Sequence, residues 1–240
     1  MVVGRVAMPS ECARRRDTGR MDVARLRREL TAVAVEADRA PMEAYMKHRS
    51  PFLGVKTPAR RAASKPFIRS MAAESVDEVL AAALALREQP EREFHYVASD
   101  LLRANCKRLR APDISTLSFL VTTDSWWDTV DALASPTIGQ MVSNHPELVE
   151  VMDAWIDHDD MWLARVAIIH QLRFADDTDA DRLFRYALRR AGDPEFFIRK
   201  AIGWALRQYA RTDPDAVRSF VDAHRDAFAP LTIREATRHL

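Results

Sequence analysis

The sequence predicts an all-α fold, built as a right-handed α-solenoid of repeated helices, and three observations carry that expectation. Glycine is scarce, at six of 240 residues, and no long run alternates apolar with polar positions, so the turn chemistry that hairpins need is largely missing. Helical periodicity runs through nearly the whole chain, from MDVARLRRELTAVAVEA to PEFFIRKAIGWALRQYA. The pattern also recurs: WLARVAIIHQLR aligns with FFIRKAIGWALR when Arg165 is laid on Arg199, an offset of 34 residues that puts Ala167 on Ala201 and Ile168 on Ile202.

Taken in order, residues 1–20 (MVVGRVAMPSECARRRDTGR) read as a disordered basic leader, and residues 21–240 as a single repeat domain. MDVARLRRELTAVAVEA forms the first helix. Pro41 opens the second, PMEAYMKH, at a position where a missing N–H is harmless. Ser75 with Glu78 makes a capping box ahead of VLAAALAL. Pro90, Pro146, Pro194 and Pro214 mark further starts. LTIREATRHL repeats the pattern once more, with Arg234 and Ala236 in the places of Arg199 and Ala201. A helical-hairpin period of this length is that of HEAT, armadillo or TPR arrays, whose inner helices line a concave face.

Composition removes several classes of function. Cys12 and Cys106 lie far apart, so neither a disulfide framework nor a metal knuckle is expected, and a reducing cytoplasm fits. No run of about eighteen apolar residues is present to cross a membrane, and the leader lacks an apolar secretory core. The phosphate-binding loops, the HExxH and CxxC pairs and the GxSxG elbow are absent, and the seven histidines have no metal spacing, so no metal or cofactor is expected.

The net charge of +1 hides an asymmetry. Between Arg39 and Arg69 the bases Arg39, Lys47, Arg49, Lys56, Arg60, Arg61, Lys65 and Arg69 face only Glu43. Between Arg110 and Arg165 there is no base, while aspartates and glutamates accumulate. Such a chain either binds a polyanion on its basic part or carries two solvated faces of opposite sign.

The remaining signal is TTDSWWDTVD, residues 122–131, which holds two of the five tryptophans among three aspartates. Ser125 with Asp128 reads as a capping box, starting a helix at Ser125. On that helix Trp126 shares a face with Val130, and Trp127 shares another with Asp131, one turn on. The division assigns Trp126 to the core and exposes Trp127 with Asp131. Packing of both tryptophans between repeats is the plainer reading. For Arg165 the plainer reading is an ion pair with Asp160, and for Trp204, beside Gly203, ordinary helix packing.

Five segments in this order, YMKHRSPFLGVKTPARR, DSWWDTVD, WLARVAIIHQLRF, FFIRKAIGWALRQYA and LTIREA, resemble the AlkD family of DNA alkylation-repair glycosylases, over essentially everything after Met21. The resemblance implies HEAT-like repeats and excision of positively charged N3- and N7-alkylated purines, such as 3-methyladenine and 7-methylguanine, from duplex DNA. It places Trp127, Asp131, Arg165 and Trp204 in the catalytic cleft, with Arg165 on a phosphate, and makes Tyr45 a DNA contact. Lys47, Lys56, Arg60, Arg61, Lys200 and Arg207 complete the expected DNA-binding set. Lys56 departs from the glutamine of the best-known members. The resemblance also implies a monomer, base excision repair by hydrolysis of an N-glycosidic bond, and a modified base that stays stacked rather than flipped. Competing expectations are a non-catalytic protein for bent or branched DNA, and a HEAT scaffold for a protein partner drawn to the acidic middle of the chain.

Overall fold

The computed structural model describes residues 23–238 and residue 240. The expected leader, residues 1–20, lies outside the described residues. Every regular element among the described residues is a helix, and the chain divides into two compact units, one reaching Asn105 and the other spanning Cys106–Leu240.

The first unit holds α1 (residues 23–32), α2 (Glu36–Tyr45), α3 (Thr57–Ser70), α4 (Val76–Arg87) and α5 (Arg92–Asn105). The long first helix expected through VAVEA is broken at residues 33–35, and α2 starts before Pro41, which therefore lies inside the helix instead of opening it. The break is enforced from outside: the Val35 N–H donates to the Gly54 carbonyl at 3.1 Å. Gly54 has φ +90, and a Cβ there would lie 2.4 Å from the Val35 oxygen, so only glycine permits the approach. The Ser75–Glu78 capping box at the start of α4 is present as expected.

The loop between α2 and α3 is organised by one carboxylate that no motif or spacing singles out. Glu93, fully buried on α5, accepts from the N–H groups of Leu53, Gly54 and Val55 at 3.0, 3.0 and 2.9 Å. Three charge-assisted bonds stand in for the water the carboxylate gave up. Glu93→Gln, which presents an NH2 to donors, should lower the unfolding free energy by about 1.5–3 kcal/mol. A urea titration measures the loss, and amide exchange should locate it at Leu53, Gly54 and Val55.

The second unit holds α6 (Ile114–Thr122), α7 (Trp127–Leu133), α8 (Gln140–Asn144), α9 (Val149–Trp155), α10 (Met161–Ile169), α11 (Ala180–Arg189), α12 (Phe196–Tyr209), α13 (Pro214–Ala223) and α14 (Pro230–Ala236). Helices α10, α12 and α14 pack side by side, each with its predecessor, α9, α11 or α13, against it. The 34-residue alignment is thus a stacking of hairpins. Its aligned alanines, Ala167, Ala201 and Ala236, are all fully buried where the helices approach.

Between α7 and α8, residues Ala134–Gly139 form a π-helical turn containing Pro136. Proline has no N–H to give to an α-helical ladder, and the wider turn accommodates it. Gly139 ends the turn against α10, where a Cβ would fall 2.2 Å from the His170 carbonyl oxygen. Gly139→Ala should therefore destabilise the protein by about 1–3 kcal/mol. Gly192→Ala, with nothing within 4 Å of the added carbon, should change the same urea midpoint little.

Candidate functional site

The helix-break segment after α6 differs from the expected capping box. The Ser125 hydroxyl turns back to the Val121 carbonyl at 2.5 Å, closing α6, and α7 begins only at Trp127. Asp124 takes φ +45, a left-handed conformation that aspartate tolerates better than most residues. Trp126 is the extended N-cap of α7, so helical phase does not set its direction. Its ring packs edge-on against Trp162 at 6.0 Å and Phe197 at 4.9 Å. Trp126 packs into this aromatic cluster but is only half-buried, as Trp127 is, so the expected division of the two into core and exposed does not appear; Val130, expected beside Trp126, is fully buried on α7.

Asp131 stands one turn beyond Trp127 on α7 and meets Arg165 of α10. The Arg165 Nε donates to Oδ1 at 2.8 Å and Nη2 to Oδ2 at 2.7 Å, while Nη1 donates to the Phe197 carbonyl of α12 at 2.5 Å. Arg165 is 4% exposed, and its guanidinium also lies 5.9 Å from the Phe197 ring centroid. The Asp160 pairing weighed for Arg165 does not form, because Asp160 caps α10 through the Trp162 N–H. Nor does Arg165 stand open toward a phosphate: three of its N–H groups are committed within the protein.

Burial pushes the Asp131 carboxyl above the ordinary carboxylate range, the Arg165 guanidinium opposes the rise through hydrogen bonding and charge, and Asp128 adds to it. Each Asp131 oxygen retains an acceptor site after pairing with Arg165. A carboxylate held rigid in this way can still orient a water or face a cation.

Trp204 is half-buried on α12, two turns beyond Phe197 and on nearly the same helix face. Trp127 is half-buried as well. Lys200 and Arg207, expected on DNA, share one carboxylate: Lys200 Nζ lies 2.9 Å from Glu235 Oε1, and Arg207 Nη1 2.6 Å from Oε2. The two cations hold Glu235 down to about 2. A carboxyl lowered on folding stabilises above its ordinary value and loses that contribution as pH falls toward 2.

The expected DNA contacts of the first unit divide. Tyr45 is 70% exposed at the end of α2, and Lys47 and His48 follow it, both exposed and both at positive φ, 57 and 53. Non-glycine residues held there store strain of the kind found at functional surfaces. Lys56 is exposed and paired with Asp38 at 2.7 Å, and Arg61 is exposed 3.7 Å from Asp100. Arg60 is a correction: it is buried, stacked 4.8 Å over Tyr96 and paired with Asp100 at 3.0 Å, so it belongs to the packing of α3 on α5.

Part of the acidic middle of the chain is also paired internally. Asp153 accepts from Tyr186 at 2.7 Å and Arg185 at 3.1 Å, and Asp157 pairs with Arg189, each partner lying in the next hairpin. These pairs offset part of the charge on which a protein-binding scaffold would draw. Among the described residues no group of acidic, histidine or cysteine side chains is placed to hold a metal, and no helix is long and apolar enough to cross a membrane.

Removing one member of the Asp131–Arg165 pair strands a buried charge. Asp131→Asn should cost about 3–5 kcal/mol of stability, and Arg165→Met placed in the same chain should restore part of it. Thermal melts of the two variants and the parent measure this.

The model of the DNA alkylation repair enzyme family matches residues 26–240. A solved structure titled a predicted DNA alkylation repair enzyme from Enterococcus faecalis is similar at 31% identity and TM-score 0.81, covering 86% of this chain and 96% of its own. AlkD2 from Streptococcus mutans is similar at 14% identity and TM-score 0.58, over 74% of this chain and 88% of its own. The smu.31 protein from Streptococcus mutans UA159 gives the same identity and TM-score over 74% and 90%. These last two likenesses concern the fold alone. No match is found among curated proteins.

Proposed function

The chain belongs to the DNA alkylation repair enzyme family, and from that premise we propose that it is a DNA glycosylase that hydrolyses the N-glycosidic bond of positively charged N3- and N7-alkylated purines in duplex DNA. The observation that carries the reading is the buried, bidentate Asp131–Arg165 pair, with Trp127 one turn before Asp131 and Trp204 on the helix that anchors Arg165.

Alkylation at N3 or N7 already places positive charge on the purine, so the leaving base needs no strong acid. As the bond to C1′ breaks, positive charge grows on the sugar, as in glycoside hydrolysis. Asp131 stabilises that charge and orients the water that attacks C1′. A lone carboxylate about 4 Å from a unit cation is worth about 4 kcal/mol at an effective dielectric near 20. With the Arg165 guanidinium roughly 8 Å from the same cation, about half of that remains. About 2 kcal/mol is roughly a thirtyfold rate effect. Trp127 and Trp204 offer aromatic faces to the cationic sugar and its backbone, at about 0.5–2 kcal/mol each. Tyr45, Lys47, Lys56, Arg61, Lys200 and Arg207 contact the duplex backbone.

This mechanism leaves the modified base stacked, because the protein acts on the sugar and the phosphates and needs no base pocket. The protein acts as a monomer in the cytoplasm, on chromosomal DNA.

Incubation with methylated duplex DNA should release 7-methylguanine or 3-methyladenine, detected by chromatography. Asp131→Asn should slow release at least tenfold in preparations whose melting curves show a folded protein. Binding of the duplex without base release by the parent would select the non-catalytic alternative. The rate should also fall with acidity as the Asp131 carboxylate is protonated. Because burial raises that carboxyl, the acid limb should lie above the roughly 3.9 of an exposed aspartate.

A further inference from the structure

Glu235 sits between two cations of α12 in a way that packing alone does not require. Lys200 and Arg207 are seven residues apart on one face of the helix, separated by about 10 Å along its axis. Gly203 lies in the gap between them, and a Cβ on it would fall 2.5 Å from Glu235 Cβ and 2.9 Å from the Thr232 carbonyl. The missing side chain lets α14 bring Glu235 into the gap, and the Thr232 hydroxyl fixes α14 further by donating to the Arg199 carbonyl at 3.2 Å. Trp204 is the next residue along.

The donors are divided unevenly. Arg207 commits Nη1 alone, to Glu235 Oε2 at 2.6 Å and to the Glu235 carbonyl at 3.0 Å, and Lys200 commits one bond at 2.9 Å. A guanidinium has five N–H groups and an ammonium three, so Nε and Nη2 of Arg207 and two donors of Lys200 are left. Glu235 itself is nearly covered, at 12% side-chain exposure, while the Lys200 side chain is 38% exposed and that of Arg207 21%. The carboxylate is thus more covered than either cation it holds, and both cations keep part of their side chains at the surface.

We propose that Glu235 is a positioning residue that pre-sets Lys200 and Arg207 as a two-point clamp for the DNA phosphate backbone beside Trp204, an inference that rests on the DNA-repair reading above. Long cationic side chains lose rotamer freedom when a ligand fixes them, and a partner that already holds them removes that loss from binding. The carboxylate also keeps the pair from being a bare double positive charge in the free protein.

The test is a set of anisotropy titrations of fluorescent, undamaged duplex DNA over a salt series. On charge alone, Glu235→Gln makes the protein one unit more positive and should bind more tightly. Positioning predicts the opposite, an affinity about three- to tenfold weaker, because the clamp is no longer ordered before binding. Lys200→Gln should flatten the dependence of log affinity on log salt by about 0.9, the loss of one phosphate contact. Equal or tighter binding by Glu235→Gln, or an unchanged slope for Lys200→Gln, overturns the proposal. Melting curves accompany each variant. Where Glu235→Gln does not fold, Glu235→Asp takes its place, since it keeps the charge but is one methylene too short to reach both cations, and the same weakening is expected. Base release by the parent, with affinity and slope unmoved in the variants, removes the clamp while leaving the repair function intact. Failure of the parent to bind any duplex removes both.

Discussion

A guanidinium buried in protein must have its charge met and its donors filled, and in this fold Arg165 sets that constraint. Its partners lie in the hairpins on either side: the Asp131 carboxylate 34 residues earlier and the Phe197 carbonyl 32 residues later. The side chain therefore ties α7, α10 and α12 together at the repeat spacing. Buried ion pairs are not reliable sources of net stability, because desolvation offsets much of the attraction. What the pair supplies is geometry, since two parallel hydrogen bonds leave a carboxylate little freedom to turn. The aromatic packing of Trp126, Trp162 and Phe197 shields the same region.

Other contacts repeat this logic. Asp153 and Asp157 are met by Tyr186, Arg185 and Arg189, and Glu235 by Lys200 and Arg207, each across one hairpin. Hydrophobic stacking makes neighbouring repeats adhere, and these polar links fix their register. In the first unit a buried carboxylate does comparable work locally, with Glu93 gathering three backbone N–H groups of one loop. In each case charge placed in one segment is answered by another, so the basic and acidic runs of the sequence are poor guides to the folded surface.

The helical class and the repeat were legible because periodicity and alignment report packing directly: the aligned Ala167, Ala201 and Ala236 are buried as a set. The capping box at Ser75 was legible for the same local reason. Ser125 shows where local reasoning stops, since its hydroxyl had two available carbonyl or N–H partners and the preceding helix took it. Arg60 shows the same limit for charge. Its partner Asp100 is forty residues away on another helix, and no count within the basic segment contains it. The break before α2 depends on Gly54 approaching Val35, again a contact between separate segments. Of the candidate site, spacing alone favoured plain packing, and it was the resemblance of the motifs that singled out Trp127, Asp131, Arg165 and Trp204; the pairing of Asp131 with Arg165 was not readable from either sequence neighbourhood.

That pairing changes the proposed chemistry. A free carboxylate would attract any developing cation strongly, whereas one neutralised by Arg165 acts as an oriented dipole whose effect falls off faster with distance. Its contribution is then largest for a positive centre held close to the carboxylate side, opposite the guanidinium. A sugar carbon fixed by its flanking phosphates satisfies that condition, and a loosely held one does not. Phosphate contacts consequently become part of the rate as well as of the affinity. Under the proposed glycosylase reading, an uncharged purine leaves too reluctantly for so modest a stabilisation to suffice, so the positive charge of the damaged base would supply the remainder and, with it, the discrimination against normal DNA.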